Sequence, residues 1–132
     1  MREVLGGDLG HGRDDRLRNA YRISRLAALL SAQGITVVCA TMSLFKECHD
    51  WNRANLPAYL EVYLRVPLHE LKRRDPKGLY RRAAAGQASG VVGMDLKYDE
   101  PASPHLLIDN MPPATPIAAV GRILRAAGPL LG

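Results

Sequence analysis

The alternation of helix-like and strand-like segments constrains the fold of this chain more than any other feature. Apolar residues recur at helical spacing over residues 14–33, and Gly34 ends the pattern as a natural helix C-cap. Residues 35–40 are β-branched and continuously apolar, which is typical of a strand buried on both faces of a parallel sheet. Strands and helices that alternate imply right-handed crossovers. The sequence therefore predicts an α/β fold with a parallel sheet and helices on its faces.

The rest of the chain continues this alternation. Its predicted elements are a helix over residues 46–55, a strand over 59–64, a short helix opened by Pro67 and ended at Asp75-Pro76, a short helix over 78–85, an irregular loop over 86–104, a strand over 106–108 and an amphipathic helix over 116–127. Three strands make a narrow sheet, because open α/β sheets commonly have about five or six. We therefore expect further strands upstream of Met1.

The size and charge of the chain favour one domain that binds a small anion. Its 132 residues are enough for one core, which predicts a single domain over residues 1–132. A net charge of +5 permits an anionic partner. Only 5% of the residues are aromatic, whereas nucleic-acid surfaces interleave aromatic with basic side chains. We expect a small-molecule nucleotide as the partner, and no nucleic acid.

The cysteines, histidines and apolar segments indicate the compartment. Cys39 and Cys48 lack the spacing of a zinc site or a disulfide framework, and Cys39 is predicted to be a small core residue. The four histidines also lack metal-ligand spacing, so no metal site is predicted. No apolar stretch reaches the roughly 18 residues of a membrane span, and Met1 does not open a signal peptide. The sequence predicts a cytoplasmic protein without membrane contact.

A dense cluster of cations is the first candidate for chemistry. Six of the eleven residues in 72–82 are basic: Lys72, Arg73, Arg74, Lys77, Arg81 and Arg82. Phosphoryl transfer is catalysed largely by positioning and charge neutralisation, which a mobile basic segment can supply. The break Asp75-Pro76-Lys77-Gly78 favours such a segment, and a solvated pair of basic helices is the alternative.

Two polar residues near the start of the first long helix are also candidates. Arg16 and Asn19 are three positions apart and therefore share one helix face. They either extend the core-facing stripe towards a ligand or belong to a solvated helix start. Arg18, Arg22 and Arg25 lie on a different face and are predicted to be exposed to solvent.

Ser43 is the third candidate because of its place in the chain. It follows the strand predicted over residues 35–40, and ligands of open α/β sheets gather beyond the carboxyl ends of strands. The alternative is that Ser43 caps the helix that follows.

Several motifs resemble those of adenylylsulfate kinases over nearly the whole stretch from Arg2 to about Asp109. Residues 75–80 match the family's DPKGLY outright. The other motifs are Asp8-Leu9-Gly10 for DLGF, Asp15-Arg16 with Asn19 and Arg22-Ile23 for DRxxNxRRI, Met42-Ser43 for ISP, and Gly93-Met94-Asp95 with Tyr98 and Pro101 for GIDxxYExP.

The resemblance implies a fold and an activity. The fold is a three-layer, P-loop-kinase-like parallel sheet with helices on both faces, a lid at about residues 74–93, and an N-terminal βαβ unit that is missing here. The activity is transfer of the ATP γ-phosphate to the 3′-hydroxyl of adenosine 5′-phosphosulfate (APS), with Mg²⁺ bridging the phosphates, as part of sulfate assimilation. The resemblance also suggests a homodimer.

Site residues follow from the resemblance position by position. Those implied to bind the substrate are Arg2, His11, Arg16, Asn19, Met42, Ser43, Lys77, Gly90 and Val91. Ser43 aligns with a serine assigned as a phosphorylated intermediate, a role that direct in-line transfer does not require. In the lid, the implied phosphate-binding cations are Arg74, Lys77 and Arg81.

The chain also departs from the family's pattern. His11 and Val91 stand where two phenylalanines usually enclose the adenine, and Ser43-Leu44 replaces Ser-Pro. The loop GxxxxGK(S/T), which cradles the ATP phosphates, is absent from these residues. We therefore expect no turnover by this chain alone. The alternatives are a non-catalytic nucleotide-binding or subunit-interaction module and a kinase for a different hydroxyl acceptor.

Overall fold

The structure is a computed structural model, and it describes residues 2–131. Its elements are α1 (Arg2–Leu5), α2 (Arg13–Ser31), α3 (Lys46–Asn55), β1 (Val62–Arg65), α4 (Leu68–Arg74), α5 (Leu79–Ala84), β2 (Leu106–Asp109) and α6 (Pro116–Leu131). They form two compact units. Unit 1 is Met1–Tyr59 with Tyr98–Pro101, and unit 2 is Leu60–Lys97 with Ala102–Gly132.

Unit 1 is built on the packing of α2 against α3. Its core contains Ala20 from α2 together with Phe45 and Cys48, and Leu17 packs against them. The rings of Tyr21 and Trp51 meet edge to face, with their centroids 6.3 Å apart. The helical periodicity of residues 14–33 and 46–55 correctly predicted both helices.

The end of α2 follows the glycine signal in the sequence. Gly34 adopts a left-handed φ of 78°. Its N–H donates to Ser31 O over 2.9 Å, and the N–H of Ile35 donates to Leu30 O over 3.1 Å. These two bonds satisfy carbonyls that the helix end would otherwise leave unpaired. The prediction that Gly34 terminates this helix is confirmed.

The strand predicted over residues 35–40 is wrong for this structure. These residues are extended but form no strand, and Val38 is 91% exposed. Cys39, predicted to lie in the core, is exposed as well. The physical reason is that a strand needs a neighbour for its backbone N–H and C=O groups, and no described segment pairs with this one.

Unit 2 contains the sheet, which has two strands among the described residues rather than the predicted three. β1 and β2 are parallel, with Val62 opposite Leu106 and Arg65 opposite Asp109. Arg65 Nε donates to Asp109 Oδ1 over 2.7 Å, and Ile108 is buried. The prediction of a parallel α/β arrangement is therefore confirmed for the strands that form.

The helices of unit 2 lie close to their predicted positions. α4 begins after Pro67 and ends at Arg74, with Asp75 as its C-cap, as Asp75-Pro76 predicted. α6 begins at Pro116 and runs four residues beyond the predicted end, to Leu131. It contacts β2, while Ile117 and Leu124 remain exposed.

Candidate functional site

The candidate lid contains a tight turn between α4 and α5. Asp75 Oδ1 accepts the N–H of Tyr80 over 3.1 Å, and Oδ2 accepts the N–H of Arg81 over 3.0 Å. Partial burial alone would raise the pKa of Asp75, but these N–H groups outweigh it and the pKa lies below its usual value. Gly78 completes the turn with a φ of 61°. Lys77 is therefore presented, exposed, between two fixed helix ends.

A buried carboxylate anchors α4. Glu70 is only 4% exposed, and its two oxygens accept three hydrogen bonds of 2.7 Å from Arg73 and Arg74. The hydrogen bonds from Arg73 contribute most, and those from Arg74 next, to lowering the pKa of Glu70 to about 2. Arg74 also donates to the backbone oxygen of Asn110 over 2.6 Å. Two of the six clustered cations thus serve the fold.

The other four cations of the cluster are exposed. They are Lys72, Lys77, Arg81 and Arg82, and none forms an ion pair within residues 2–131. A surface cavity of about 360 Å³ lies beside them, lined by Lys72, Arg73, Arg74, Asp75, Tyr80, Arg81 and Ala84. This arrangement can attract and hold an anion, because its positive charge exceeds what Glu70 and Asp75 neutralise.

The loop after α5 is organised around one carboxylate. Asp95 Oδ2 accepts the N–H of Gly90 over 2.7 Å, and Oδ1 accepts the N–H of Val91 over 2.6 Å. Gly90 adopts a φ of 69°, and Val91 is 3% exposed. A second surface cavity, of about 450 Å³, is lined by Lys72, Ala83, Ala88, Gly93, Met94 and Asp95. The side chain of Val91 is therefore a packing group rather than an exposed stacking surface.

In unit 1, the start of α2 brings two predicted site residues into direct contact. Arg16 Nε donates to the backbone oxygen of His11 over 2.8 Å. Gly10 donates its N–H to Asp15 Oδ2 over 2.9 Å, which ties the preceding loop to the helix. Asn19 lies one turn further, and its Oδ1 is buried with no hydrogen-bond partner among the described residues. A buried oxygen of this kind favours a donor that is not part of this chain.

Arg22 corrects the prediction that it is exposed on the outer face of this helix. Its guanidinium binds both oxygens of Asp8, at 2.5 and 2.8 Å, and donates to Leu5 O over 2.7 Å. The hydrogen bond from Arg22 is the main reason that the pKa of Asp8 falls to about 2. Arg22 is half-buried and fixes the loop that leads to His11, because Asp8 lies in that loop. Arg18 and Arg25 are exposed, as predicted.

The segment around Ser43 precedes α3. Ser43 is half-buried, and its backbone oxygen lies 2.8 Å from His49 Nε2. The N-cap of α3 is Phe45, so the alternative in which Ser43 caps the helix is not observed. Met42 is 62% exposed. Arg2 was also predicted as a site residue, but its side chain lies outside what the structure describes.

The structure thus groups the predicted residues in two sets. Unit 1 holds His11, Arg16, Asn19, Met42 and Ser43, and unit 2 holds Arg74, Lys77, Arg81, Gly90 and Val91. Sequence reasoning assigned no site role to the carboxylates that hold these backbones, which are Asp8, Glu70, Asp95 and Asp99. All but Glu70 lie within the motif matches, and the spacing of Glu70 to Arg73 and Arg74 is a signal for its ion pairs.

A parallel strand pair with helices and a basic turn places this chain among α/β proteins of the P-loop-kinase-like fold. The model of the adenylylsulphate kinase family matches residues 1–109. The chain belongs to that family.

None of the helices within residues 2–131 is long and apolar enough to cross a membrane.

Two curated relatives show how similar the chain is to named kinases and how much of their length it covers. An adenylyl-sulfate kinase of Geotalea uraniireducens is 43% identical over 112 residues, which cover 83% of this chain and 54% of the relative. A cytidine diphosphoramidate kinase of Campylobacter jejuni is 38% identical over 110 residues, covering 83% of this chain and 64% of the relative. The chain thus spans between about half and two thirds of the length of these curated relatives.

A solved structure shows the same fold. The Mycobacterium tuberculosis APS kinase CysC, in complex with AMPPNP and APS, superposes with a TM-score of 0.83 at 31% identity. The match covers 97% of this chain and 75% of that one.

Proposed function

We propose that this chain provides the acceptor-binding side and the lid of an adenylylsulfate-kinase-type phosphotransferase. The observation that carries the proposal is the turn built by Asp75 and Gly78, which leaves Lys77 exposed, while Asp75 itself lines a basic cavity with Lys72 and Arg81. The family membership supplies the reaction class, and the solved relative bound to AMPPNP and APS supports the choice of ligands.

The chemistry asked of these residues is charge neutralisation. In the proposed reaction the 3′-hydroxyl oxygen of APS forms a bond to the γ-phosphorus of ATP while the bond from that phosphorus to the β-γ bridging oxygen breaks. ADP leaves with the bridging oxygen, and the hydroxyl proton is released to solvent. Negative charge spreads over the transferring phosphoryl oxygens, and fixed cations stabilise it without reorganisation. Lys77 and Arg81 have this role, because neither forms an ion pair with another described residue.

The residues of α2 act on the acceptor. Arg16, held by its hydrogen bond to His11 O, presents a planar guanidinium at the start of α2, and this kind of group suits the phosphosulfate. The buried Oδ1 of Asn19 accepts a donor from the nucleotide. Ser43 and Met42 also contact the acceptor. Direct in-line transfer needs no covalent bond to Ser43.

The side chains of the described residues do not by themselves form a site for Mg²⁺. Within residues 2–131, no group of three His, Cys, Asp or Glu side chains could hold a metal ion. Asp8, Asp75 and Asp95 already accept hydrogen bonds from Arg22 or from backbone N–H groups. Mg²⁺ commonly binds one or two carboxylates together with substrate phosphates, so the nucleotide would have to supply most of its ligands.

Calorimetry with APS and with ATP tests the proposal. We expect binding of APS, weaker or no binding of ATP, and no turnover without an added polypeptide. Lys77→Ala and Arg16→Ala should each weaken APS binding about tenfold or more, since hydrogen bonds to charged groups contribute about 1.5–3 kcal/mol. Lys97→Ala removes an exposed lysine outside the cluster and should leave the affinity unchanged. Turnover by the purified chain, or equal affinity of all variants, would contradict the proposal.

A different acceptor is the second candidate function. The Campylobacter jejuni relative is named a cytidine diphosphoramidate kinase. In this chain Val91 is buried and aliphatic, so it cannot enclose a purine ring as an aromatic side chain would. Cytidine 5′-diphosphate is a stable probe for this candidate. Tighter binding of this nucleotide than of APS would favour it.

A non-catalytic interaction module is the third candidate, and one observation favours it. Residues 35–40 are apolar, extended and unpaired, and such edges recruit other chains. This candidate replaces the enzymatic ones under two conditions. Neither APS, ATP nor cytidine 5′-diphosphate binds, and the chain elutes in size-exclusion chromatography as an oligomer that the substitution Val38→Lys dissociates.

A further inference from the structure

The N-terminus of α3 receives no capping hydrogen bond from the side chain of its N-cap residue. That residue is Phe45, whose side chain cannot accept one. The two residues before it are Leu44 and Ser43, and Ser43 is proposed to contact the acceptor. Their backbone conformation therefore depends on contacts from elsewhere in the chain.

Asp99 makes contacts of this kind from 53 positions away. Its Oδ2 accepts the N–H of Lys46 over 3.2 Å, and its own N–H donates to Leu44 O over 3.0 Å. The two bonds hold the backbone on both sides of Phe45. The negative charge is also favourable at this place, because the N-terminus of a helix carries partial positive charge.

Other contacts at this helix end come from residues of α2 and α3 themselves. The guanidinium of Arg13 donates to Glu47 over 2.9 Å and lies 5.5 Å from the centre of the Phe45 ring. His49 Nε2 lies 2.8 Å from Ser43 O. Arg13, Glu47 and His49 all belong to α2 or α3, whereas Asp99 belongs to the loop that follows the Gly90–Asp95 segment in the chain. The hydrogen bonds of Asp99 thus join residues 98–101 to the Ser43 segment within unit 1.

We propose that Asp99 is a positioning residue for acceptor binding, because its two backbone hydrogen bonds set the conformation of the Ser43–Phe45 segment. The proposal rests on the proposed function for the role of Ser43. Asp99 acts through the backbone of Leu44 and Lys46 and has no contact with the reacting atoms. In the stretch that resembles the motif GIDxxYExP, Asp99 stands at the acidic position, but the sequence analysis assigned it no role.

The experiment compares four variants of the full chain. Asp99→Ala removes the acceptor of the Lys46 N–H, and Asp99→Asn keeps a side-chain oxygen that can still accept it. Glu47→Ala removes another carboxylate at the same helix end but leaves both Asp99 bonds in place. Glu100→Ala changes the exposed neighbour. For each variant, APS affinity, the melting temperature and hydrogen exchange of the Lys46 amide are measured.

We expect Asp99→Ala to accelerate exchange at Lys46 and to weaken APS binding about tenfold. Asp99→Asn should recover most of both losses, and Glu100→Ala should behave as wild type. Glu47→Ala should lower the melting temperature with little effect on APS affinity. The proposal is overturned if Glu47→Ala and Asp99→Ala weaken binding equally for equal loss of stability, because Asp99 would then act only on helix stability.

Failure of the proposed function gives a separate result. If the wild-type chain binds no APS, the assignment of acceptor contacts is wrong. Exchange at the Lys46 amide then judges the positioning proposal by itself. Wild-type exchange rates in Asp99→Ala would overturn it, and faster exchange that Asp99→Asn restores would support it.

Discussion

Replacing Gly78 by alanine tests the turn that presents Lys77. Gly78 has a φ of 61°, and a Cβ added there would meet nothing within 4 Å. The cost of the substitution is therefore the left-handed backbone alone, about 1–2 kcal/mol for a residue with a Cβ. For a chain of 132 residues, we expect the melting temperature to fall by about 3–8 °C.

The same substitution at Gly121 is the matched control. Gly121 lies within α6, and a Cβ added there would meet only the end of the Arg125 side chain, at an ordinary contact distance of 3.7 Å. Alanine is better than glycine in a helix by about 0.5–1 kcal/mol, so Gly121→Ala should raise stability. Thermal and urea unfolding should therefore show opposite signs for one chemical change at two positions with room for a Cβ.

Two results would refute this reasoning. If Gly78→Ala is as stable as the wild type, Gly78 does not hold a left-handed conformation and the turn around Asp75 is not the resting state. If Gly121→Ala is destabilised as much as Gly78→Ala, the loss reflects a general intolerance of added Cβ groups. In the expected case, Gly78→Ala should also weaken APS binding, because Lys77 is then presented from a less populated turn.

Three further outcomes follow from other contacts. Asp8→Asn should be less stable than the wild type at neutral pH. The folded pKa of Asp8 is about 2 and its ordinary value is 3.8, so the stability difference should be complete above about pH 4 and vanish as the pH falls through 2. Acid unfolding of both proteins would show this. Phe45→Ala should cost about 3–5 kcal/mol in urea unfolding, because Phe45 is 5% exposed in the core, and a loss below about 1 kcal/mol would contradict this packing. Gly34→Ala should lose about 1–2 kcal/mol, because Gly34 has a φ of 78°, and unchanged stability would argue against the observed end of α2.

Local signals in the sequence predicted the helices well. Gly34 and Asp75-Pro76 mark the ends of α2 and α4, because their effect on the backbone needs no partner elsewhere. The pattern of residues 35–40 did not predict their state equally well. An apolar, β-branched run indicates what a segment prefers when neighbours are present, and here no described strand lies beside it.

The candidate site could be predicted only in part for a related reason. Motif matches pointed to Lys77 and Arg16, but they could not show which cations the fold itself uses. Glu70 forms ion pairs with two arginines of the basic cluster, and Asp8 forms one with Arg22. The bond from Asp99 to Lys46 joins residues 53 positions apart, and no periodicity links them. Such long-range pairs depend on the three-dimensional path of the chain.

The two thiols of this chain differ sharply in access to reagents. Cys48 is 1% exposed beside Ser24, whereas Cys39 stands in the open within the unpaired 35–40 segment. An alkylating dye should therefore label a single position and leave the other untouched. Shielding of that position from the dye would provide a footprint of whatever polypeptide comes to lie along the segment, without any engineered probe.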